Sequence, residues 1–311
     1  MVRRLFVALA FVFIGLLLFR QWDSLLTYEW RIRPTWLAAS GFFMLAGWLV
    51  EIRLWQQALD LVGGRLDYRS AIRIWFPSSI VRFIPGNIWQ PLSMTVLCRE
   101  RHIRPEATLA SMTLFHAIHV MAIGAIAAFY TLTWGRAGTV SNTLGSIARW
   151  SSILVAVPEW LLLIYPRGML AIANGILAKV GRQPLPLRLS AWQLVRLLGL
   201  SLVAWLLLCA SFTALTGALT QESGPSFAEA VPHLAAAYPI AYVIGFLSLL
   251  TPSGLGVREG VLFALLGPIV GRGDAIVVAM GMRVWEIALE VVVTVGVIGT
   301  PSLWRSKASP L

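Results

Sequence analysis

Ionisable residues standing inside apolar sequence are the first candidates for chemistry in this chain. Arg258 and Glu259 follow directly on Gly256 in the stretch Thr251-Pro252-Ser253-Gly254-Leu255-Gly256-Val257. Arg283, Glu286 and Glu290 share one helical face at i, i+3 and i+7, and His116 and His119 share another, close to Ser111 and Thr113. At membrane depth such groups are costly, and they face a bundle interior or a wet cavity. The arginines suit an anionic, phosphate-bearing headgroup. Glu259 would balance charge, while His116, His119, Glu286 and Glu290 are candidates for proton coupling. Structural alternatives exist for each: an Arg283–Glu286 pair within one helix, an Arg258–Glu259 helix end at the interface, and histidines packed between helices.

Two breaks lie beside these charges. Pro85-Gly86-Asn87 follows Arg82 by a few residues, and Pro252, Gly254 and Gly256 precede Arg258. Proline removes a backbone donor and glycine permits a sharp bend, so segments near 77–91 and 251–260 read as broken or re-entrant helices. Breaks at corresponding places in two halves point to a transporter site at the membrane midplane, where freed backbone groups face a polar substrate. Arg82, Pro85, Gly86, Asn87, Pro252, Gly254, Gly256, Arg258, Glu259 and Arg283 are therefore the expected substrate-binding residues.

The elements that must hold them are membrane helices. Of the 311 residues, 58% are hydrophobic and only 13% charged, against about 25% charged in an average soluble domain. Mean hydropathy is +0.77. Apolar runs cover Leu5–Phe19, Trp36–Val50, Leu109–Thr133, Trp150–Tyr165, Leu194–Leu219, Val231–Leu250 and Ala275–Ile298, with a shorter piece at Val261–Val270. Glu51 and Arg53 are expected at a cytoplasmic helix end. The fold class is an all-α polytopic bundle of seven or eight spans in a single domain over 1–311. Its halves, 1–165 and 190–300, each hold one broken segment and allow an inverted repeat. Basic residues gather near Arg3, Arg65–Arg73, Arg99–Arg104 and Arg167–Arg188, which places those loops and the N-terminus in the cytoplasm.

A net charge of +11 then reflects basic loops and not nucleic-acid binding. Cys98 and Cys209 are too far apart to suggest a disulfide framework or a metal motif. No Walker loop, His-Glu-x-x-His, Gly-x-Ser-x-Gly or dinucleotide fingerprint occurs, so no enzymatic activity, cofactor or metal is expected. Tryptophans such as Trp22, Trp36, Trp134 and Trp150 read as interfacial anchors.

The run Thr251–Gly260, followed by the span with Arg283, resembles the lysylphosphatidylglycerol synthase transmembrane-region family of flippase-like membrane proteins, and Arg82-Phe83-Ile84-Pro85-Gly86 is similar to its first Pro-Gly motif. Trp89-Gln90 departs from the Gly-Glu common there, and His116 and His119 stand where Arg or acidic residues are common. The resemblance implies a multi-pass inner-membrane protein that moves or handles amphiphilic lipids. The expectation is a lipid flippase-like transporter in a prokaryotic plasma membrane, acting on a phospholipid or lipid-linked glycan. The alternatives are a non-transporting accessory of a glycosyltransferase or lipid-modifying enzyme, and an integral-membrane transferase.

Overall fold

The computed structural model describes residues 32–83, 89–134, 190–220, 225–247 and 256–299, with the isolated positions 175, 178 and 254. The spans expected at Leu5–Phe19 and Trp150–Tyr165 fall outside these residues, as do Pro85, Gly86, Asn87, Pro252 and both chain termini. Eight α-helices are described: α1 Pro34–Leu61, α2 Tyr68–Ser79, α3 Trp89–Arg99, α4 Pro105–Thr133, α5 Ala191–Leu219, α6 Pro225–Leu247, α7 Val257–Val270 and α8 Arg272–Gly299. A 3-10 turn, Ile80–Phe83, extends α2.

Local chemistry sets several starts. Pro34 and Pro105 open α1 and α4 at the first-turn position where a missing N–H costs nothing. Ser190 and Gln193 form a capping box on α5, and Asp67 caps α2 by accepting from the Ser70 N–H at 3.1 Å. Pro239 lies inside α6 and cannot donate to the Ala235 carbonyl. The Cys209 thiol of α5 takes that carbonyl instead, at 3.2 Å.

Helices α1, α4, α5 and the Phe227–Phe246 part of α6 are long and apolar enough to cross a membrane. Helix α8 matches α1 in length but carries Arg283, Glu286 and Glu290, all buried. Its exposed face is Val284, Val291, Val292, Val295 and Ile298. The chain is thus a helical membrane bundle whose charges turn inward and whose aliphatic surface meets lipid.

Helices α2 and α3 form a hairpin around the first break. Ser78 Oγ is 3.2 Å from Ser93 Oγ near the tip, and Arg101, just past α3, donates to Ser70 Oγ at 2.9 Å near the start of α2. Contacts at both ends make the limbs antiparallel, so the segment returns to the level at which it entered. At 12 and 11 residues, each limb is about 17 Å long against a hydrocarbon core of about 30 Å. The expected re-entrant element is present, and its tip, 84–88, lies outside the described residues. Helix α7, at 14 residues, is likewise too short to cross unaided.

The packing of the first four helices repeats in the second four. Helix α1 packs on α2 and α4, α2 on α3, and α3 on α4; equally, α5 packs on α6 and α8, α6 on α7, and α7 on α8. Across the halves, α2 meets α8 as α6 meets α4. The most extensive interface joins α1 to its counterpart α5. Those two run antiparallel, since the Arg33 N–H donates to the Ala218 carbonyl at 3.1 Å while Ser40 meets Ser211 and Gly47 meets Leu208. A two-fold relation between antiparallel counterparts has its axis across the bundle, which is an inverted repeat. Gly47 permits the close approach: a Cβ there would stand 3.0 Å from Leu208 Cδ2.

Candidate functional site

The middles of the four long repeated helices converge on one place. Trp48 of α1, His119 of α4, Trp205 of α5 and Glu286 of α8 each stand halfway along their helix. Trp48, Trp205 and Glu286 line a cavity of about 40 Å³, together with Glu51, Trp75, Gln90, Phe115, His116, Leu208, Tyr238 and Tyr242. That volume admits a few water molecules, at about 10–15 Å³ each. Trp48 and Trp205 stand equally far into α1 and α5, as Glu51 and Leu208 do, so the cavity straddles the repeat axis. Gln90 comes from the first turn of α3, directly after the first break.

On the second half's side the breaks and charges are joined. Gly254 has φ +68° and is buried, and a Cβ there would lie 2.6 Å from the Gly245 carbonyl oxygen, so only glycine fits where the chain turns against α6. The Gly256 N–H donates to Glu259 Oε2 at 2.7 Å, fixing the first turn of α7. The guanidinium of Arg258 donates from Nη1 to Glu286 Oε2 at 3.0 Å. It also lies 4.9 Å from the Tyr238 ring centroid and 5.7 Å from that of Tyr242. Its neighbour Glu259 faces Arg283 Nε at 3.9 Å. Consecutive residues of α7 therefore pair with residues of α8 one turn apart, and charge is balanced between the two helices. The interfacial Arg258–Glu259 alternative gives way to this arrangement, with Arg258 only 4% exposed.

Across the cavity stands a second polar pair. His119 Nε2 is 3.0 Å from Glu51 Oε1, and His119 Nδ1 is 3.0 Å from Ser201 Oγ. The ring stacks on Phe115 and leans on Trp205, whose indole N–H donates to the His119 carbonyl at 3.1 Å. His116 is held differently, by its Nδ1 on the Met112 carbonyl at 2.8 Å and by stacking on Phe246.

The expected site residues are thus partly assembled. Arg258, Glu259, Arg283 and Glu286 form one group, and His116 and His119 line or back the same cavity. Glu290 is buried one turn beyond Glu286. Arg82 falls in the 3-10 turn after α2, with its side chain outside the described residues, where Pro85, Gly86, Asn87 and Pro252 also fall. One expectation is corrected: Glu51 does not end a helix at an interface, because α1 continues to Leu61 and carries Glu51 through the middle of the bundle. Tryptophans 48, 55, 75 and 205 are buried rather than interfacial, each 5% exposed or less. Among the described residues, no three His, Cys, Asp or Glu side chains converge on a metal position.

A comparison with protein-family models matches residues 5–294 to the lysylphosphatidylglycerol synthase TM region. The chain belongs to that family. A search of curated proteins finds no match. Family membership and the apolar helices together make this a membrane protein of lipid metabolism or transport, and within the family's matched region lie both breaks and every side chain of the midplane cavity.

Proposed function

We propose that the protein is a lipid flippase-like transporter that carries the phosphate-bearing headgroup of an amphiphile, a phospholipid or lipid-linked glycan, through the midplane cavity while the acyl or prenyl chain stays in the bilayer. The observation that carries this reading is the Arg258–Glu286 pair at the wall of a cavity placed halfway along the long helices. A buried ion pair contributes little net stability against apolar residues of equal volume, because both charges lose their hydration. Its retention at the centre of a two-fold bundle is better explained by exchange: a phosphate takes the place of the Glu286 carboxylate on Arg258, at little change in local charge. The protein acts here as a transporter and not as an enzyme, in a prokaryotic plasma membrane with its N-terminus in the cytoplasm.

The cavity's volume favours one competing reading. About 40 Å³ does not admit a headgroup, so transport needs a second state in which the hairpins separate; a protein fixed in this closed state would serve as an accessory to a lipid-modifying enzyme. Reconstituted protein with fluorescent phospholipids or polyprenyl-phosphate sugars separates the two. Loss of protection from an impermeant quencher faster than in protein-free vesicles supports transport, and equal rates for every lipid support the accessory.

A further inference from the structure

We infer that Glu51 and His119 form a proton-exchange site coupled to occupancy of the midplane cavity, an inference that rests on the transport reading above. The geometry differs from that of a histidine held only for packing. His116 gives the contrast at Nδ1: the Met112 carbonyl can only accept, so Nδ1 of His116 must keep its proton. The partner of His119 Nδ1 is the Ser201 hydroxyl, which donates or accepts by rotating its hydrogen. With His119 neutral, Nε2–H donates to Glu51 and the hydroxyl donates to Nδ1. With His119 protonated, Nδ1–H donates to the hydroxyl oxygen. Both states keep every hydrogen bond with no heavy atom moved.

The route to water is also built. His119 is 2% exposed, whereas the Glu51 carboxylate lines the cavity. A proton from cavity water taken up on Glu51 passes to Nε2 when the neutral ring carries its hydrogen on Nδ1, donated to the Ser201 hydroxyl, and the pair's charge goes from −1 to 0. On release the proton returns to water, and no bond between heavy atoms forms or breaks. Among the described residues, the other groups that face the pair are His116 from α4, Tyr238 and Tyr242 from α6, and Glu286 from α8 with Arg258 of α7 behind it. Helices α2, α3 and α5 contribute Trp75, Gln90, Ser201 and Trp205, which do not titrate near neutral pH. Among the described side chains that line or back the cavity, Arg258 balances Glu286, so protonation of the Glu51–His119 pair removes one negative charge. An anionic headgroup enters more readily when that pair holds its extra proton, and by linkage the bound headgroup tightens the proton.

The test is lipid translocation by the reconstituted full chain, with a fluorescent anionic phospholipid, at pH values from about 5 to 8 where histidine exchanges its proton. The expected rate rises several-fold as pH falls, by at most about tenfold per pH unit for one linked proton, and Glu51→Gln flattens the profile. Movement of lipid at a rate independent of pH overturns the coupling and leaves transport standing. No movement at any pH overturns the transport reading and the coupling with it. If Glu51→Gln fails to fold, the nitrogen resonances of isotope-labelled histidine in the unaltered protein decide. Titration of the His119 ring in that range supports the site, and a single protonation state throughout overturns it.

Discussion

Arg258 and Glu286 meet at 3.0 Å between α7 and α8, with the guanidinium lying over Tyr238. This contact closes the α7–α8 hairpin and places a cation beside the central cavity. Removing Arg258 takes the guanidinium at 3.0 Å away from a buried carboxylate, whereas removing both charges does not leave that imbalance.

Arg258→Ala is therefore expected to destabilise the protein by about 3–5 kcal/mol, while Arg258→Met with Glu286→Leu recovers most of that loss. Both variants lose transport. Thermal unfolding in detergent, followed by size-exclusion chromatography, reads the first effect, and the vesicle assay reads the second. A double variant as unstable as Arg258→Ala would show that packing around Arg258, not its charge, holds the hairpin.

The two glycines of the second break separate backbone strain from crowding. Gly254 and Gly256 both have positive φ, +68° and +83°, but only Gly254 would place a Cβ against another backbone, 2.6 Å from the Gly245 carbonyl oxygen. Gly256→Ala is expected to cost about 1–2 kcal/mol, the left-handed penalty alone. Gly254→Ala costs more and gives little folded protein in the same unfolding measurement. Equal effects would mean that α6 yields freely at Gly245.

Ser78 and Ser93 test the re-entrant hairpin directly. Their hydroxyls are 3.2 Å apart across α2 and α3, a separation that cysteine side chains can bridge. Ser78→Cys with Ser93→Cys should form an intramolecular disulfide under mild oxidant, seen as a mobility shift that reductant reverses. Absence of the shift, with both thiols open to alkylation, would place the limbs apart.

Asp67 gives a pH-dependent contribution outside the spans. Partial burial pushes its carboxyl up, but hydrogen bonds from Ser70 and the charge of Arg101 outweigh that, leaving its pKa below the ordinary 3.8. A carboxyl depressed in the folded state stabilises above its unfolded pKa, and the contribution disappears as pH falls through the folded value. Asp67→Ala is expected to lower stability at neutral pH by about 1 kcal/mol. The gap to the unaltered protein should narrow below about pH 4; a constant gap would assign the effect to packing.

Much of this was legible in the sequence because proline, glycine and charge leave sharp marks in apolar sequence. The helical membrane class, the broken segments and the inward charges of α7 and α8 all follow from such marks. Glu51 was misplaced because Arg53 beside it suggested an interface, although α1 runs on to Leu61. The cavity's aromatic walls were illegible for a different reason. A tryptophan at a helix middle and one at a membrane surface look alike until the helix bounds are known, and Trp48 and Trp205 become counterparts only once α1 and α5 are seen to pack antiparallel. Cross-helix pairing such as Arg258 with Glu286 depends on the turn at Gly271, where the intrahelical alternative has the shorter sequence separation.

The claim that a headgroup passes through the midplane cavity is tested most directly by filling it. Leu208 lines the cavity with an uncharged side chain and packs against Gly47 of α1. In vesicles of defined phospholipid, Leu208→Trp should slow translocation to the protein-free rate, read on the fraction of the purified variant that elutes as the folded, unaltered protein does. Undiminished translocation by a folded Leu208→Trp variant would contradict passage through this cavity.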